Sequence, residues 1–265
     1  MDAKKDYIEV NKKTWNEKVA LHVDSEFYNM KDFLAGETSL NEIELNLLDD
    51  IKGKKILHLQ CHFGQDTLSL ARMGAEVTGV DLSDKAVEKG RELAEQLGLN
   101  ARFICSDVYK LPEVLEEQFD IVYTSYGVIG WLPDMNKWAE VVSKFVKPGG
   151  KFVFVEFHPF VWMYDYDFTK VDYSYFNVED IVETESGTYA DRSADVQLKS
   201  VSWNHSIAEV VQSLVDHQLQ IKTFEEHNYS PYSCFNHVVE IAPKKFQIAP
   251  FGDKVPLVYA IVASK

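Results

Sequence analysis

The sequence predicts an α/β fold with a doubly wound, mostly parallel sheet. Between about residues 54 and 156, short segments rich in β-branched and aromatic residues alternate with segments whose apolar residues recur at helical spacing. This alternation is typical of βαβ units, which assemble into a parallel sheet with helices on both faces. The chain has 265 residues, of which 46% are hydrophobic, so it can form one such domain with added segments.

Five segments of this stretch are predicted as strands, because each is short, apolar and bounded by turn residues. In chain order they are KKILHL, AEVTGVD, ARFICSD, FDIVYTS and KFVFVEF. Ser83 is expected to cap the helix after the second strand, and Gly98 to end it. Asp134 is expected to cap the helix after the fourth strand, which ends at a KPGG turn.

Two regions are added to this core. Residues 1–50 are predicted to form a helical lid, with a capping box at Ser39 and Glu42 at the start of its second helix. Residues 159–202 form an aromatic insertion, in which GTYADR and VQLKSVSW are candidate paired strands. The core is predicted to comprise residues 51–158 and 203–265.

The C-terminal stretch of the core carries three further elements. A capping box at Ser206 and Glu209 is expected to start a helix. The segments LQIKTFEE and VPLVYAIVAS are predicted as the last two strands.

Composition and charge disfavour several classes of function. The formal net charge is −15 and there is no run of Lys and Arg, which favours a small-molecule partner over nucleic acid. The cysteines at positions 61, 105 and 234 fit a reducing compartment better than a disulfide framework. The N-terminus is polar and no apolar run reaches about 18 residues, so we expect a cytoplasmic protein that does not enter a membrane.

The richest segment is ILHLQCHFGQDTLSLARMGAEVTGVDLS, which is predicted as strand, turn, helix and strand. Gly64 in the turn would let backbone amides and a helix N-terminus approach a ligand. Asp81 closes the second strand, where a carboxylate can accept hydrogen bonds from both ribose hydroxyls. The sequence therefore predicts a nucleoside site.

This segment resembles motif I and the following acidic motif of class I S-adenosylmethionine-dependent methyltransferases. The family turn usually reads as in VLDLGCGTG, whereas this chain reads ILHLQCHFG. His58 stands where the family has an acid that helps to position the amino acid end of the cofactor. Gln60 and His62 replace two glycines, while Cys61 and Gly64 match. The variant looks like one found in bacterial methyltransferases that act on small molecules.

Three later segments resemble the family in the same order. ICSDVYKLP places Asp107 where the family binds the adenine amino group, FDIVYTSYGVIGWLPD leads into the active-site loop, and KPGGKFVFVEF matches the last turn and strand. The resemblance implies a Rossmann-like, seven-stranded sheet with an antiparallel last strand, and S-adenosyl-L-methionine as cofactor. The residues that it implies for cofactor binding are Gln60, Cys61, His62, Gly64, Asp81, Leu82, Asp107, Val108 and Ser125.

Candidate catalytic residues follow from the position of the strand ends. Methyl transfer from a sulfonium is an in-line displacement, and it requires a base only when the acceptor must lose a proton. His158 follows the fifth strand and is the candidate base, and Tyr126 ends the fourth. In the alternative interpretation, His158 only caps the turn before Pro159. The lid and insertion are expected to roof a pocket for a small-molecule acceptor.

Other functions remain open at this point. His58, Cys61 and His62 could ligate zinc, but a strand-to-turn segment rarely arranges three such ligands tetrahedrally and no fourth is evident, so no metal is predicted. A nicotinamide-dependent oxidoreductase has a similar first half, although the turn lacks G-x-G-x-x-G. A non-catalytic protein that binds S-adenosylmethionine is compatible with the altered turn. The oligomeric state is left open.

Overall fold

The computed structural model describes residues 6–265, so the first five residues of the predicted lid lie outside the described residues. The helices are α1 (Tyr7–Val23), α2 (Met30–Ala35), α3 (Glu42–Leu48), α4 (Gln65–Arg72), α5 (Asp84–Leu97), α6 (Leu111–Val114), α7 (Met135–Phe145) and α8 (Ile207–Asp216). The strands are β1 (Lys55–Leu59), β2 (Glu76–Asp81), β3 (Ala101–Cys105), β4 (Phe119–Ser125), β5 (Val146–Phe157), β6 (Ile181–Ser186), β7 (Gln197–Ser202), β8 (Gln220–His227), β9 (Val238–Ala242), β10 (Lys245–Ile248) and β11 (Val258–Ser264).

Seven strands form the central sheet, in the order β3-β2-β1-β4-β5-β11-β8. Strands β1 to β5 are parallel where they pair, and β11 runs antiparallel to both of its neighbours, β5 and β8. The predicted fold class is therefore confirmed, including the antiparallel last strand. The strand order reverses between β1 and β4, and ligands of open α/β sheets bind at the carboxyl ends of the strands beside such a point.

Two large apolar clusters hold helices against the sheet. One contains the buried faces of α7 and α8, where Trp138 is fully buried with its ring 5.5 Å from Phe152 and 5.3 Å from Phe154. The other contains α3 and α4, with Ile43 and Leu70 packed against β1, β4 and β5. Helices thus contribute to both clusters, as a doubly wound sheet requires.

Several predicted helix ends are confirmed. The Ser83 side chain accepts a hydrogen bond from the Ala86 amide, and Gly98 ends α5 in the left-handed conformation. Asp134 caps α7 in the same way. One of the two hydrogen bonds of the capping box predicted at Ser206 and Glu209 is also present, since the Ser206 side chain accepts from the Glu209 amide.

The capping box predicted at Ser39 and Glu42 is wrong by two residues. Helix α3 is capped by Asn41, whose amide donates to Glu44 Oε1 at 2.7 Å. The Ser39 hydroxyl instead lies 2.9 Å from the Ser69 hydroxyl on α4. A tertiary contact therefore takes the residue that local sequence favoured as the cap.

The insertion contains the antiparallel hairpin of β6 and β7. Strand β7 falls within the predicted VQLKSVSW, but β6 precedes GTYADR, which forms the connection instead. The Thr188 amide donates to the Asp191 carbonyl at 2.8 Å, so this segment forms a tight turn in place of a strand. Asn11 of α1 exchanges two hydrogen bonds with the backbone of Val201, at 2.8 and 2.9 Å, and so joins the N-terminal helix to the insertion.

A second hairpin, β9 with β10, was not predicted. The boundaries of lid, core and insertion stay a prediction.

Among the helices of residues 6–265, none is long and apolar enough to cross a membrane.

Candidate active site

A cleft of about 2220 Å³ lies over the carboxyl ends of β1, β2 and β4. Its walls come from the core, from α1 and from the insertion. All the residues predicted to bind cofactor line it, as does Tyr126. These residues come from four separate parts of the chain, so the fold brings them together as the resemblance implies.

The turn after β1 has the left-handed backbone typical of glycine, although two of the glycines usual in the family are replaced. Gln60, His62 and Gly64 have φ values of 55°, 50° and 80°. For a residue with a Cβ this conformation costs roughly 1–2 kcal/mol. The Gln60 amide nitrogen donates to the Val128 carbonyl at 2.8 Å, so the turn is tied to the loop that follows β4.

Gly64 has a structural reason that the sequence did not reveal. A Cβ at this position would lie 2.4 Å from the ring of Phe103 on β3. Gly79 and Gly90 approach the same ring, where their Cβ atoms would lie at 2.9 and 2.8 Å. The glycine therefore accommodates Phe103 behind the turn, in addition to its place at the edge of the cleft.

Asp81 is held rigidly at the end of β2. Its Oδ2 accepts from the His62 amide and its Oδ1 from the Ser83 amide, both at 2.8 Å. Burial raises the pKa of Asp81 to about 6. A carboxylate offers about four lone-pair sites, so it retains capacity for hydroxyl donors from a ligand.

Asp107 and Val108 lie at the next strand end. The Asp107 carboxylate accepts from the Tyr109 amide at 3.0 Å and caps a short 3₁₀ turn that begins at Val108. Burial, followed by the charges of Asp107 and Asp134, raises the pKa of Tyr7 to about 12. The first turn of α1 therefore lies close to this end of the cleft.

His58 does not replace the charge of the missing acid. Its ring is buried, with Nδ1 2.8 Å from the Thr67 hydroxyl, and burial lowers its pKa to about 3, so it is neutral.

Among residues 6–265 no three metal-ligating side chains converge on one point.

Tyr126 lies at the end of β4 with a left-handed φ of 47°. Its hydroxyl donates to Glu44 Oε2 at 2.8 Å. Burial and the charge of Asp66 raise the pKa of Glu44 to about 7. The Asn41 side chain donates to both Glu44 and the Tyr232 hydroxyl, so a chain of hydrogen bonds extends behind the phenol.

His158 does not line the cleft, and the role predicted for it as catalytic base is not supported by its position. Its Nδ1 accepts from the Phe160 amide at 3.1 Å, as in the alternative interpretation of a turn cap. Its Nε2 lies 3.1 Å from Glu226 on β8. The His158 amide donates to the Leu257 carbonyl, so pairing with the segment before β11 continues past the end of β5, and the ring faces the antiparallel side of the sheet.

Two residues of the cleft were missed by the sequence analysis. Glu156 is buried, and its carboxylate accepts from the amides of Gly127, Val128 and Ile129, so it fixes the loop after β4. The sequence signal that could have identified Glu156 was the presence of an acid in the apolar strand KFVFVEF. Lys18 on α1 is only 4% exposed, and nothing in the local sequence distinguishes it from a solvated lysine.

Comparison with known proteins identifies a methyltransferase domain in this chain. A family model described as a methyltransferase domain matches residues 56–150. A ubiquinone biosynthesis O-methyltransferase of Coxiella burnetii is 32% identical over 118 residues, which are 43% of this chain and 50% of the relative. The chain therefore contains a methyltransferase domain and resembles the class I S-adenosylmethionine-dependent methyltransferases. It spans about half the length of the curated relatives it matches.

Solved structures show the same methyltransferase fold. A putative S-adenosylmethionine-dependent methyltransferase from Listeria monocytogenes aligns with a TM-score of 0.58 and 17% identity, covering 83% of this chain and 94% of that one. A geranyl diphosphate C-methyltransferase from Streptomyces coelicolor, in complex with S-adenosyl-L-homocysteine, aligns with a TM-score of 0.55 and 16% identity, over 83% and 76%. These comparisons do not favour the nicotinamide-dependent or non-catalytic alternatives.

The cleft fits S-adenosylmethionine, the cofactor that the resemblance implies. Asp81 retains free lone pairs beside the turn, as a ribose requires. Two polar atoms at the turn, Gln60 Oε1 and His62 Nδ1, are buried without a hydrogen-bond partner among the described residues. Buried polar atoms are rarely left unpaired, so these two atoms are suited to a polar ligand.

Proposed function

We propose that this protein transfers the methyl group of S-adenosylmethionine to a small-molecule acceptor. The observation that carries the proposal is Asp81, whose carboxylate is fixed by two backbone amides at the edge of the cleft. Asp81 would hold the ribose, with Leu82 beside it, and Asp107 and Val108 would hold the adenine. Gln60, Cys61, His62, Gly64 and Ser125 would surround the remainder of the cofactor. When bound, this cofactor supplies a methyl group that is activated by the positive charge on sulfur.

The acceptor is proposed to be a small, partly apolar molecule that carries a hydroxyl group. Aromatic rings from the lid, the loop after β4 and the insertion line the cleft, including Trp15, Trp131 and Tyr189. Such walls exclude water and bury an apolar ligand. The name of the Coxiella burnetii relative, an O-methyltransferase of ubiquinone biosynthesis, supports oxygen as the methylated atom.

Tyr126 is the proposed acceptor-side residue, with Glu44 positioned behind it. Since the Tyr126 hydroxyl already donates to Glu44, its oxygen is free to accept a hydrogen bond from an acceptor hydroxyl. A proton from the acceptor can then reach Glu44 through Tyr126. The pKa of Glu44, raised to about 7 by burial, suits a group that takes a proton near neutral pH.

The proposal is tested with S-adenosylmethionine that carries a labelled methyl group, offered with hydroxylated aromatic compounds and with a metabolite extract. We expect label to pass to a small molecule. Tyr126→Phe should lower kcat by at least about 100-fold, as for loss of a proton-transfer group, while S-adenosylhomocysteine affinity is retained. Tyr175→Phe, which lies outside the cleft, is the matched control. Tight cofactor binding without transfer to any acceptor would instead support the non-catalytic alternative.

A further inference from the structure

Lys18 is a buried cation without a polar partner. Its ammonium group meets no hydrogen-bond acceptor and no carboxylate within ion-pair distance among residues 6–265, although the side chain is only 4% exposed and lines the cleft. Burial lowers its pKa, and Glu185 on β6 is the acid whose charge opposes that shift. A buried ammonium is normally paired, so the site calls for an anion that the chain itself does not supply.

Aromatic rings surround this ammonium on several sides. Nζ lies 4.8 Å from the ring centre of Trp15, 5.3 Å from that of Trp131 and 5.7 Å from that of Tyr189. These rings stabilise the positive charge through their π faces, but a π face does not satisfy the hydrogen-bond donors of an ammonium as a carboxylate does. The ammonium is therefore held in one place while its hydrogen-bonding capacity is left for a ligand.

Gln60 and Lys18 line the same cleft, and the surroundings of the two side chains are connected through Trp15 and Trp131. The Trp15 ring is 5.2 Å from the His62 ring, and Gln60 is bonded to Val128, three residues before Trp131. Gln60 Oε1 is buried without a partner among the described residues. The backbone of Gln60 has a φ of 55°, which glycine would adopt without strain. That a residue with a side chain stands here indicates that the side chain has a function.

We propose that Lys18 and Gln60 clamp the zwitterionic methionine end of S-adenosylmethionine and so replace the acid that this chain lacks at position 58. Lys18 donates to the α-carboxylate, and Gln60 Oε1 accepts from the α-ammonium. The inference rests on the proposed function, because it assumes that the adenosine part lies on Asp81. Neutral His58, bonded to Thr67, leaves this task to other residues.

Calorimetry with two ligands tests the clamp. S-adenosylhomocysteine carries the amino acid end, whereas 5′-methylthioadenosine has the same adenosine and sulfur without it. Lys18→Met keeps the aliphatic stem and should weaken S-adenosylhomocysteine binding by about 10- to 100-fold, as expected when a hydrogen bond between charged groups is lost. Gln60→Met should also weaken it, by about tenfold. Both variants should bind 5′-methylthioadenosine within about threefold of the wild type.

Lys13→Met is the matched control, because Lys13 lies on the same helix with its side chain 81% exposed, and it should bind both ligands normally. Unchanged S-adenosylhomocysteine affinity in Lys18→Met would overturn the clamp. An equal loss for both ligands would also overturn it, since the effect would then be on the site as a whole. If the wild type binds 5′-methylthioadenosine as tightly as S-adenosylhomocysteine, the clamp is wrong but the adenosine site stands. If it binds neither, the proposed function fails as well.

Discussion

Replacing Asp81 by Asn tests the proposed ribose site, because the change keeps the shape of the side chain and removes its charge. The carboxylate now accepts from the amides of His62 and Ser83, and its remaining lone pairs would accept the two ribose hydroxyls. Asn offers one carbonyl oxygen, so at least one hydrogen bond to a charged acceptor is lost. Such a bond is worth about 1.5–3 kcal/mol, or roughly 10- to 150-fold in affinity.

The pH dependence of binding gives a second reading of the same residue. Burial raises the pKa of Asp81 to about 6, so the free protein takes up a proton below that pH. The ionised form accepts the ribose hydroxyls, and S-adenosylhomocysteine affinity should therefore be constant above pH 6 and fall by up to about tenfold per unit below it. Asp81→Asn should lose this dependence.

The assay is isothermal titration between pH 5 and 8, with urea unfolding to verify that each variant is folded. Asp84→Asn is the matched control, since Asp84 lies three residues further on with its side chain 49% exposed. The reasoning is refuted if folded Asp81→Asn binds S-adenosylhomocysteine like the wild type, or if both proteins share one pH profile.

Three further variants test the structure around the site. Gly64→Ala should lower the free energy of unfolding by about 2–4 kcal/mol, because its Cβ would meet Phe103 at 2.4 Å and its φ is 80°; an unchanged urea midpoint would refute this. Burial raises the pKa of Glu44 from 4.5 to about 7. Its ionisation should therefore lower the free energy of unfolding of the wild type by about 3 kcal/mol as pH rises through that window. Glu44→Gln should remove that contribution, and parallel pH–stability profiles would contradict it. His158→Ala should leave S-adenosylhomocysteine affinity unchanged in calorimetry, and a large loss would return His158 to the site.

Local signals predicted the parts of the fold that local chemistry determines. Ser83 and Asp134 cap helices because each accepts a hydrogen bond from the amide three residues further on, and this spacing can be read in the sequence. The alternation of strands and helices likewise predicted the parallel sheet and the position of Asp81 at a strand end. These features depend on neighbours in the chain.

Features that depend on distant residues could not be predicted in this way. Phe103 explains Gly64 only because β3 lies beside β2, and the residues next to Lys18 in the sequence give no sign of its burial. His158 was placed at the correct strand end, but the direction of its ring depends on pairing between β5 and β11. Tertiary contacts therefore determined each outcome that the sequence analysis missed.

The most direct test of the central claim is parallel titration of the purified full chain with S-adenosylhomocysteine and with NAD. The cleft beside Asp81 is expected to bind S-adenosylhomocysteine saturably at one molecule per chain, and to give no saturable heat with NAD. Saturable binding of NAD together with no binding of S-adenosylhomocysteine would contradict the assignment of this cleft to a methyl donor.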